Sequence, residues 1–372
     1  MGKIADILKR LDPFILAIPF LLGIISVLMI SSITASGDDP LNRTVAIQGI
    51  AYILGFLLMV LVVYVDYRVF AALRLQLYIG AIALQLIVYI PGVGVEIAGQ
   101  RAWVNVFGFT TMQPSELTKV LLILIMASYL QDKKGKLESY REFFKAFAYV
   151  LPIIAVVAAE DMGAAIVMLF IHIGMIFAAG LKAGIFVRLS ALFVVSIPIL
   201  YRFMQPHQKE RFTAFLHPDN LSINATYQVY QSKVAIGSGG FLGKGFRQGD
   251  VKASGLLPVQ ESDFIFPVLC EEFGIIGGLV VIALYALLLQ RIWVAIRSAS
   301  EVFGALVCAG ILCMFGFQIF ENIGMTMGLM PVTGITLPFL SQGGSSILVN
   351  MLCIGLVLSV GFREKSRAIR YV

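Results

Sequence analysis

One carboxylate stands out by its position. Asp263 lies in the run Leu257-Pro258-Val259-Gln260-Glu261-Ser262-Asp263-Phe264-Ile265-Phe266-Pro267, where the one long polar segment of a very apolar chain re-enters a hydrophobic stretch. At the mouth of a membrane helix a carboxylate is costly unless it is used or paired. Used, it can act as a general base, taking a proton from a hydroxyl within hydrogen-bond reach. Paired, it caps the helix or joins a loop lysine. A second polar group lies in Gln113-Pro114-Ser115-Glu116-Leu117-Thr118-Lys119. Pro114 suits the first position of a helix, and Glu116 and Lys119 then share one helix face. An ion pair there lowers the cost of burying both charges, and a substrate-facing role is compatible with it.

Stepping outward from these residues, the chain that must hold them is 59% hydrophobic and 13% charged, with a mean hydropathy of +0.90. That is too apolar for a soluble domain of this length. The net charge of +6 comes from basic residues scattered between apolar runs, not from one basic face, so nucleic acid is excluded as a partner. Cys270, Cys308, Cys313 and Cys353 all fall inside apolar runs without CxxC spacing and read as packing residues. The amino-terminal apolar stretch is too long for a signal-peptide core and reads as an uncleaved first helix. Asp6 stands where a myristoylation signal needs Ser or Thr.

A hydrocarbon core about 30 Å thick asks for roughly 20 apolar residues per span. The sequence predicts about ten transmembrane helices, near Pro13 to Thr34, Val45 to Val65, Leu73 to Ile90, Pro114 to Leu130, Phe143 to Ala159, Gly163 to Gly180, Phe186 to Phe203, Phe264 to Leu289, Phe303 to Leu329 and Ser345 to Phe362. The fold class is therefore an all-α polytopic membrane protein forming a single integral domain over 1–372. Lys and Arg accumulate in the loops on the side of the amino terminus, which places both termini in the cytoplasm. The large loop 204–262, between helices 7 and 8, then faces outward.

That loop contains Gly237-Ser238-Gly239-Gly240-Phe241-Leu242-Gly243-Lys244-Gly245. It is not a Walker A motif, because Ser238 stands where the first Gly is needed and Gly245 where Ser or Thr is needed. The glycines instead permit positive φ and close backbone approach to the membrane or a ligand. Tyr227, Tyr230 and Val234 recur at helical spacing, which suits a short interfacial or packing helix. The stretch from Leu329 to Ser345 carries no charge and is punctuated by Gly and Pro. It is expected to fold back into the membrane under protein cover. His172 reads as a packing residue, and no His and Cys cluster has metal-ligand spacing.

Taken together, Gln100-Arg101-Trp103, Gln113 to Lys119, Gln231-Ser232-Lys233 to Gly240, Asp263-Phe264-Ile265-Phe266 with Glu271-Glu272, and Pro331-Val332-Thr333-Gly334 to Ser345 resemble the SEDS family of bacterial shape, elongation, division and sporulation proteins. The length, the short tails and Leu11-Asp12-Pro13 look most like its rod-shape members, with its cell-division members the near alternative. The resemblance covers nearly the whole chain. It implies a peptidoglycan glycosyltransferase that polymerises lipid II into glycan strands outside the bacterial inner membrane, working with a class B penicillin-binding protein and other elongation-complex proteins.

On that resemblance Asp263 matches the essential acidic residue, the general base for an inverting attack that expels undecaprenyl pyrophosphate. Arg101, Glu116 and Lys119 match positions that shape or bind the cavity, and Lys233 sits in the loop motif. Arg101, Lys119, Arg211 and Lys233 are the cations available to the leaving pyrophosphate. A divalent cation, Mg²⁺ or Mn²⁺, could share that work. The family's Gln-Pro-Asp-Leu-Gly-Thr is Ala159-Glu160-Asp161-Met162-Gly163-Ala164 here, a His before the acidic residue is absent, and Pro267, Thr336 and Gln342 replace a small residue, a proline and a tyrosine. Two other classes compete: a lipid II flippase, and a non-catalytic scaffold for the crosslinking partner. A transporter calls for polar groups near the midplane, often in two repeated halves, whereas here no inverted repeat is evident and the polar groups collect on one side.

Overall fold

The computed structural model describes residues 11–34, 42–97, 100–106, 110–133, 139–203 and 206–370. Lys3, Lys9, Arg10, Lys134 and Lys136, which contribute to the predicted orientation, lie outside them. The chain begins with α1 (Pro13–Thr34), α2 (Arg43–Tyr64), the short α3 (Val69–Ala72) and α4 (Arg74–Leu86), which ends in a 3-10 turn at Ile87–Tyr89. Three strands follow, β1 (Gly94–Ile97), β2 (Gln100–Val106) and β3 (Thr110–Met112). Then come α5 (Pro114–Gln131), α6 (Tyr140–Glu160), α7 (Met162–Ala178) and α8 (Ala183–Phe203). The large loop supplies α9 (Pro206–Leu216), α10 (Asn224–Ser238) and α11 (Asp250–Ala253), and α12 (Ile265–Ser298), α13 (Val302–Thr326) and α14 (Gly344–Arg370) complete the chain.

Each of the ten predicted spans coincides with a helix among the described residues. By length and composition, α1, α2, α6, α12, α13 and α14 are apolar enough to cross a membrane. Polar side chains start several helices by accepting otherwise unpartnered N–H groups. Asn42 accepts from Val45 at 3.1 Å and Asp161 from Ala164 at 2.9 Å. The bundle centres on α13, which packs against α5, α7, α12 and α14. Small residues let neighbours close in: Gly55 of α2 lies against Met351 of α14, and Gly310 of α13 against Ile123 and Met175. His172 is buried against Phe147, with its ring nitrogens lacking hydrogen-bond partners among the described residues.

The sequence reading gave no regular structure to the stretch between the third and fourth spans. The structure forms an antiparallel sheet there in the order β1-β2-β3, pairing Val95 with Trp103 and Asn105 with Thr111. Its strands are short, but Trp103 and Val104 are residues that favour a pleated, half-buried surface.

The large loop is mostly helical. On α10 the buried side chains are Ala225, Thr226, Gln231, Ser232 and Ala235, while Tyr230 and Val234 are exposed. Of the predicted apolar face, Tyr227 is half-buried, so the helix both packs on the bundle and presents Tyr230 and Val234 outward. Ser232 is held inward by donating to the Thr326 carbonyl at 2.7 Å.

The glycine run makes its close approach to a protein backbone. Gly274 interrupts α12 with φ 68° and ψ −171°, so nearby backbone groups lose their helical partners. The run supplies replacements: Lys244 and Gly245 N–H donate to the carbonyls of Glu271 and Glu272 at 3.0 and 3.0 Å, and Ile275 N–H donates to Gly240 at 2.9 Å. Glu271 clamps the far side, accepting from Lys244 Nζ at 2.7 Å, Asp250 N at 2.8 Å and Val251 N at 3.0 Å. A Cβ on Gly239 would lie 2.0 Å from the Cys270 carbonyl oxygen. Gly239→Ala is accordingly expected to destabilise the fold by about 1–3 kcal/mol through overpacking. Thermal unfolding in detergent, with proteolysis of the large loop as a second probe, checks this; an unchanged transition would show that the splint is dispensable.

The uncharged segment after α13 does fold back. Val332, Ile335, Leu337, Phe339 and Leu340 are buried although the backbone is irregular. Its carbonyls are taken up by side chains from four helices, as water-free surroundings require. Ser26 donates to Leu340 at 2.7 Å, Gln48 to Ser341 at 3.2 Å and Asn322 to Ile335 at 2.8 Å. Tyr52 and Tyr285 donate to Phe339 and Pro338.

Candidate active site

Three helices begin at the same end of the bundle, and their first turns surround a cavity of about 680 Å³. Arg43 and Thr44 come from α2, Glu116 from α5 and Gln113 from the position just before it, and Gly344, Ser345 and Ser346 from α14. The sheet adds Trp103, Asn105 and Thr111, and the segments before α12 and α14 add Ser262, Thr336 and Gln342. The wall is thus rich in hydroxyl and amide groups. Its helix amino termini and Arg43 favour an anion.

The cavity continues into a groove of about 400 Å³ that shares Ile47, Gln113, Gly344 and Ser345 with it. This groove is lined by Ile50, Leu54 and Leu58 of α2, Leu117 of α5, and Leu348 and Leu352 of α14. A polar chamber joined to an apolar channel suits a ligand with a polar head and a hydrocarbon tail.

Ser262, the residue before Asp263, lines the cavity, while Asp263 itself is not among the lining residues. Asp263 does not cap α12, whose first turn follows Phe264 without a side-chain cap. Its Oδ1 accepts from Ser262 Oγ at 2.9 Å, and its backbone oxygen accepts from Asn322 Nδ2 at 3.0 Å. Burial pushes its carboxyl above the usual carboxylate range, the Ser262 hydroxyl and Arg211 pull the other way, and Glu261 adds to the rise.

Glu116 and Lys119 form the expected pair, Nζ to Oε1 at 2.8 Å, with 8% and 2% of their side chains exposed. Asp161 packs beside them. Its Oδ2 accepts from Gln113 Nε2 at 2.7 Å and Ser115 Oγ at 2.9 Å, and burial raises its carboxyl's affinity for a proton. Asp161, retained in an otherwise altered motif, thus holds Gln113 and Ser115 by hydrogen bonds and feels the charges of the Glu116 and Lys119 pair.

Arg211 donates to the Thr333 carbonyl at 2.7 Å. It also shares with Lys233 a crevice of about 30 Å³, room for a single water. The segment from Met330 to Thr336 runs between this crevice and the cavity, with Met330 to Val332 on one and Thr336 on the other. Arg101 is not brought into the cavity wall. It lies against Gly94 of β1, and its backbone N–H donates to Glu160 at 3.2 Å. Sequence reasoning missed Arg43 and Gln48, which line the cavity, and Glu321 and Asn322, which grip the segment before α14. Each is an ordinary residue until the fold brings distant segments together. Among the described residues no three His, Cys, Asp or Glu side chains group as a metal site would need.

Fold and cavity define a polytopic helical membrane protein with a polar chamber at one end of the bundle, joined to an apolar groove. A family model described as cell cycle protein, covering FtsW, RodA and SpoVE, matches residues 9–366, and the chain belongs to that family, the SEDS proteins. It is 38% identical over 324 residues to the probable peptidoglycan glycosyltransferase FtsW of Geobacter sp. (strain M18), covering 86% of this chain and 87% of that one. It is 35% identical over 361 residues to the peptidoglycan glycosyltransferase MrdB of Escherichia coli (strain K12), covering 96% and 95%. Among solved structures it resembles a chain from work on the structural coordination of polymerization and crosslinking by a peptidoglycan synthase complex. That match has a TM-score of 0.79 at 28% identity and covers 95% of this chain and 98% of that chain.

Proposed function

We infer that the chain is a peptidoglycan glycosyltransferase that polymerises lipid II, as its relatives' names and its family membership support. The observation that carries the substrate assignment is the polar cavity, lined by Ser262 next to Asp263 in the chain, running into the apolar groove between α2, α5 and α14. The disaccharide of the donor lies against the amides and hydroxyls of the cavity wall. Its pyrophosphate faces Arg43 and the amino terminus of α14, and the polyprenyl chain occupies the groove.

The acceptor sugar hydroxyl attacks the anomeric carbon of the donor. Asp263 takes the hydroxyl proton as the new C–O bond forms, and undecaprenyl pyrophosphate leaves from the opposite face with the bonding electron pair. The α-linked donor becomes a β-linked product. Positive charge and oriented backbone dipoles at the cavity offset the charge that builds on the leaving group. In the bacterial inner membrane the basic-residue asymmetry places both termini inside and this site outside. A class B penicillin-binding protein then crosslinks the strands, a pairing supported by the synthase-complex neighbour.

Purified full-length protein given lipid II, with and without the crosslinking partner, is expected to make glycan polymer. Leu54→Trp, which fills the groove, is expected to raise KM for the long-chain lipid about tenfold, the loss from unburying one or two hydrocarbon units, with a smaller effect on a short-chain analogue. Absence of polymer even with the partner would return the chain to the flippase or scaffold class.

A further inference from the structure

A second acid lies behind the segment that faces Asp263. Glu321 and Asn322, consecutive on the last turns of α13, grip that segment from one side. The Asn322 amide donates to the Asp263 carbonyl at 3.0 Å and to the Ile335 carbonyl at 2.8 Å, tying the entrance of α12 to the segment before α14. Glu321 is 1% exposed, and its Oε1 accepts the Thr333 hydroxyl. Its Oε2 has no hydrogen-bond partner among the described residues. The Thr333 carbonyl in turn holds Arg211 Nη1 at 2.7 Å. Gly334 comes next, and a Cβ built on it would stand 3.4 Å from Asp263 Oδ2 and 3.5 Å from Arg211 Nη1. The carboxylate and the guanidinium therefore both border this one residue.

A buried carboxylate with a single hydroxyl donor is an unfavourable way to fill space, since desolvation is offset by one hydrogen bond only. Its use lies in what it orients. We propose that Glu321 is a positioning residue for glycosyl transfer: it fixes Thr333, whose carbonyl sets the Arg211 guanidinium beside the Asp263 carboxylate. This deepens the reading of Asp263 as the base and rests on it. The charged groups around the chain of contacts are Arg211, Asp263 and, beside Asp263, Glu261. Arg211 opposes the rise that burial imposes on the Asp263 carboxyl and so favours the form that accepts the hydroxyl proton. With Thr333 released, the guanidinium swings away and the base is both less often ionised and less well aimed.

The test measures kcat and KM for lipid II polymerisation by the full chain with its crosslinking partner. Glu321→Ala is expected to lower kcat about ten- to a hundredfold, the scale of a misplacement near 1 Å, with KM unchanged. Glu321→Gln keeps an oxygen to accept the Thr333 hydroxyl and is expected to recover most of the rate. Thr333→Val should reproduce the Glu321→Ala loss. In an Arg211→Ala background, Glu321→Ala should cost nothing further, because both act through the same guanidinium. A merely structural Glu321 would instead give additive losses and no rescue by glutamine, and either result overturns the proposal. Should Glu321→Ala not fold, wild-type kcat in Thr333→Val overturns it equally. Asp263→Asn is run alongside: if it polymerises at the wild-type rate, the base assignment itself has failed, whereas an inactive Asp263→Asn with wild-type Glu321 and Thr333 variants sinks this inference alone.

Discussion

Asp263→Asn is expected to abolish glycan polymerisation, with a loss of about a hundred- to ten-thousandfold, the range contributed by a positioned general base. The substitution keeps shape and removes only the ability to take a proton. Little else depends on the charge. The entrance of α12 is held by backbone contacts, the Asn322 amide on the Asp263 carbonyl at 3.0 Å and Gln342 N–H on the Glu261 carbonyl at 2.8 Å, and an amide oxygen can still accept from Ser262. The variant should therefore fold, insert and retain its partner. The pH profile adds a second reading. A base works in its deprotonated form, so the rate rises as pH passes upward through its pKa. Burial holds the Asp263 carboxyl above its ordinary value, so the acid limb should lie above the usual carboxylate pKa of about 4. Arg211 opposes that rise, so Arg211→Ala should move the limb to still higher pH. Wild-type turnover by a folded Asp263→Asn protein would remove this residue from the chemistry.

What could be read from the sequence was what depends on short spacing. Apolar runs of membrane length marked the helices, because one stretch of chain satisfies its own backbone. Glu116 and Lys119 were legible as a pair because three residues set them on one helix face. The absence of charge between Leu329 and Ser345 was enough to foresee the fold-back, since such a segment has no reason to sit in water. The cavity was not legible. Arg43, Gln113 and Gly344 open three helices far apart in the chain, and no local pattern says that their first turns meet. The glycine run shows the same limit. Its glycines announced a close approach, but the partner was the break at Gly274 in α12, and a glycine within an apolar run does not announce a break. Arg101 illustrates the converse: it stands in a family motif, yet its guanidinium lies against Gly94 and is not among the residues that line the chamber.

The buried pair on α5 should show how structure and chemistry divide at this site. Lys119 and Glu116 are both nearly inaccessible and 2.8 Å apart, and Asp161 lies close enough for Lys119 to oppose its rise in proton affinity. One ammonium therefore balances two acids. Lys119→Met leaves both without a counter-charge and is expected to destabilise the fold by about 3–5 kcal/mol, the usual penalty for breaking a buried pair from one side. Glu116→Leu with Lys119→Met removes both charges and fills the space with apolar groups, a replacement that tends to be neutral or stabilising. Asp161 still keeps its bonds to Gln113, Ser115 and Ala164. The double variant should thus recover most of its thermal stability in detergent. Polymerisation should not recover with it, because Glu116 lines the cavity and its Oε2 has no partner among the described residues. Recovery of stability and turnover together would make the pair a purely structural device, and recovery of neither would mean that Asp161 cannot hold the network without Lys119.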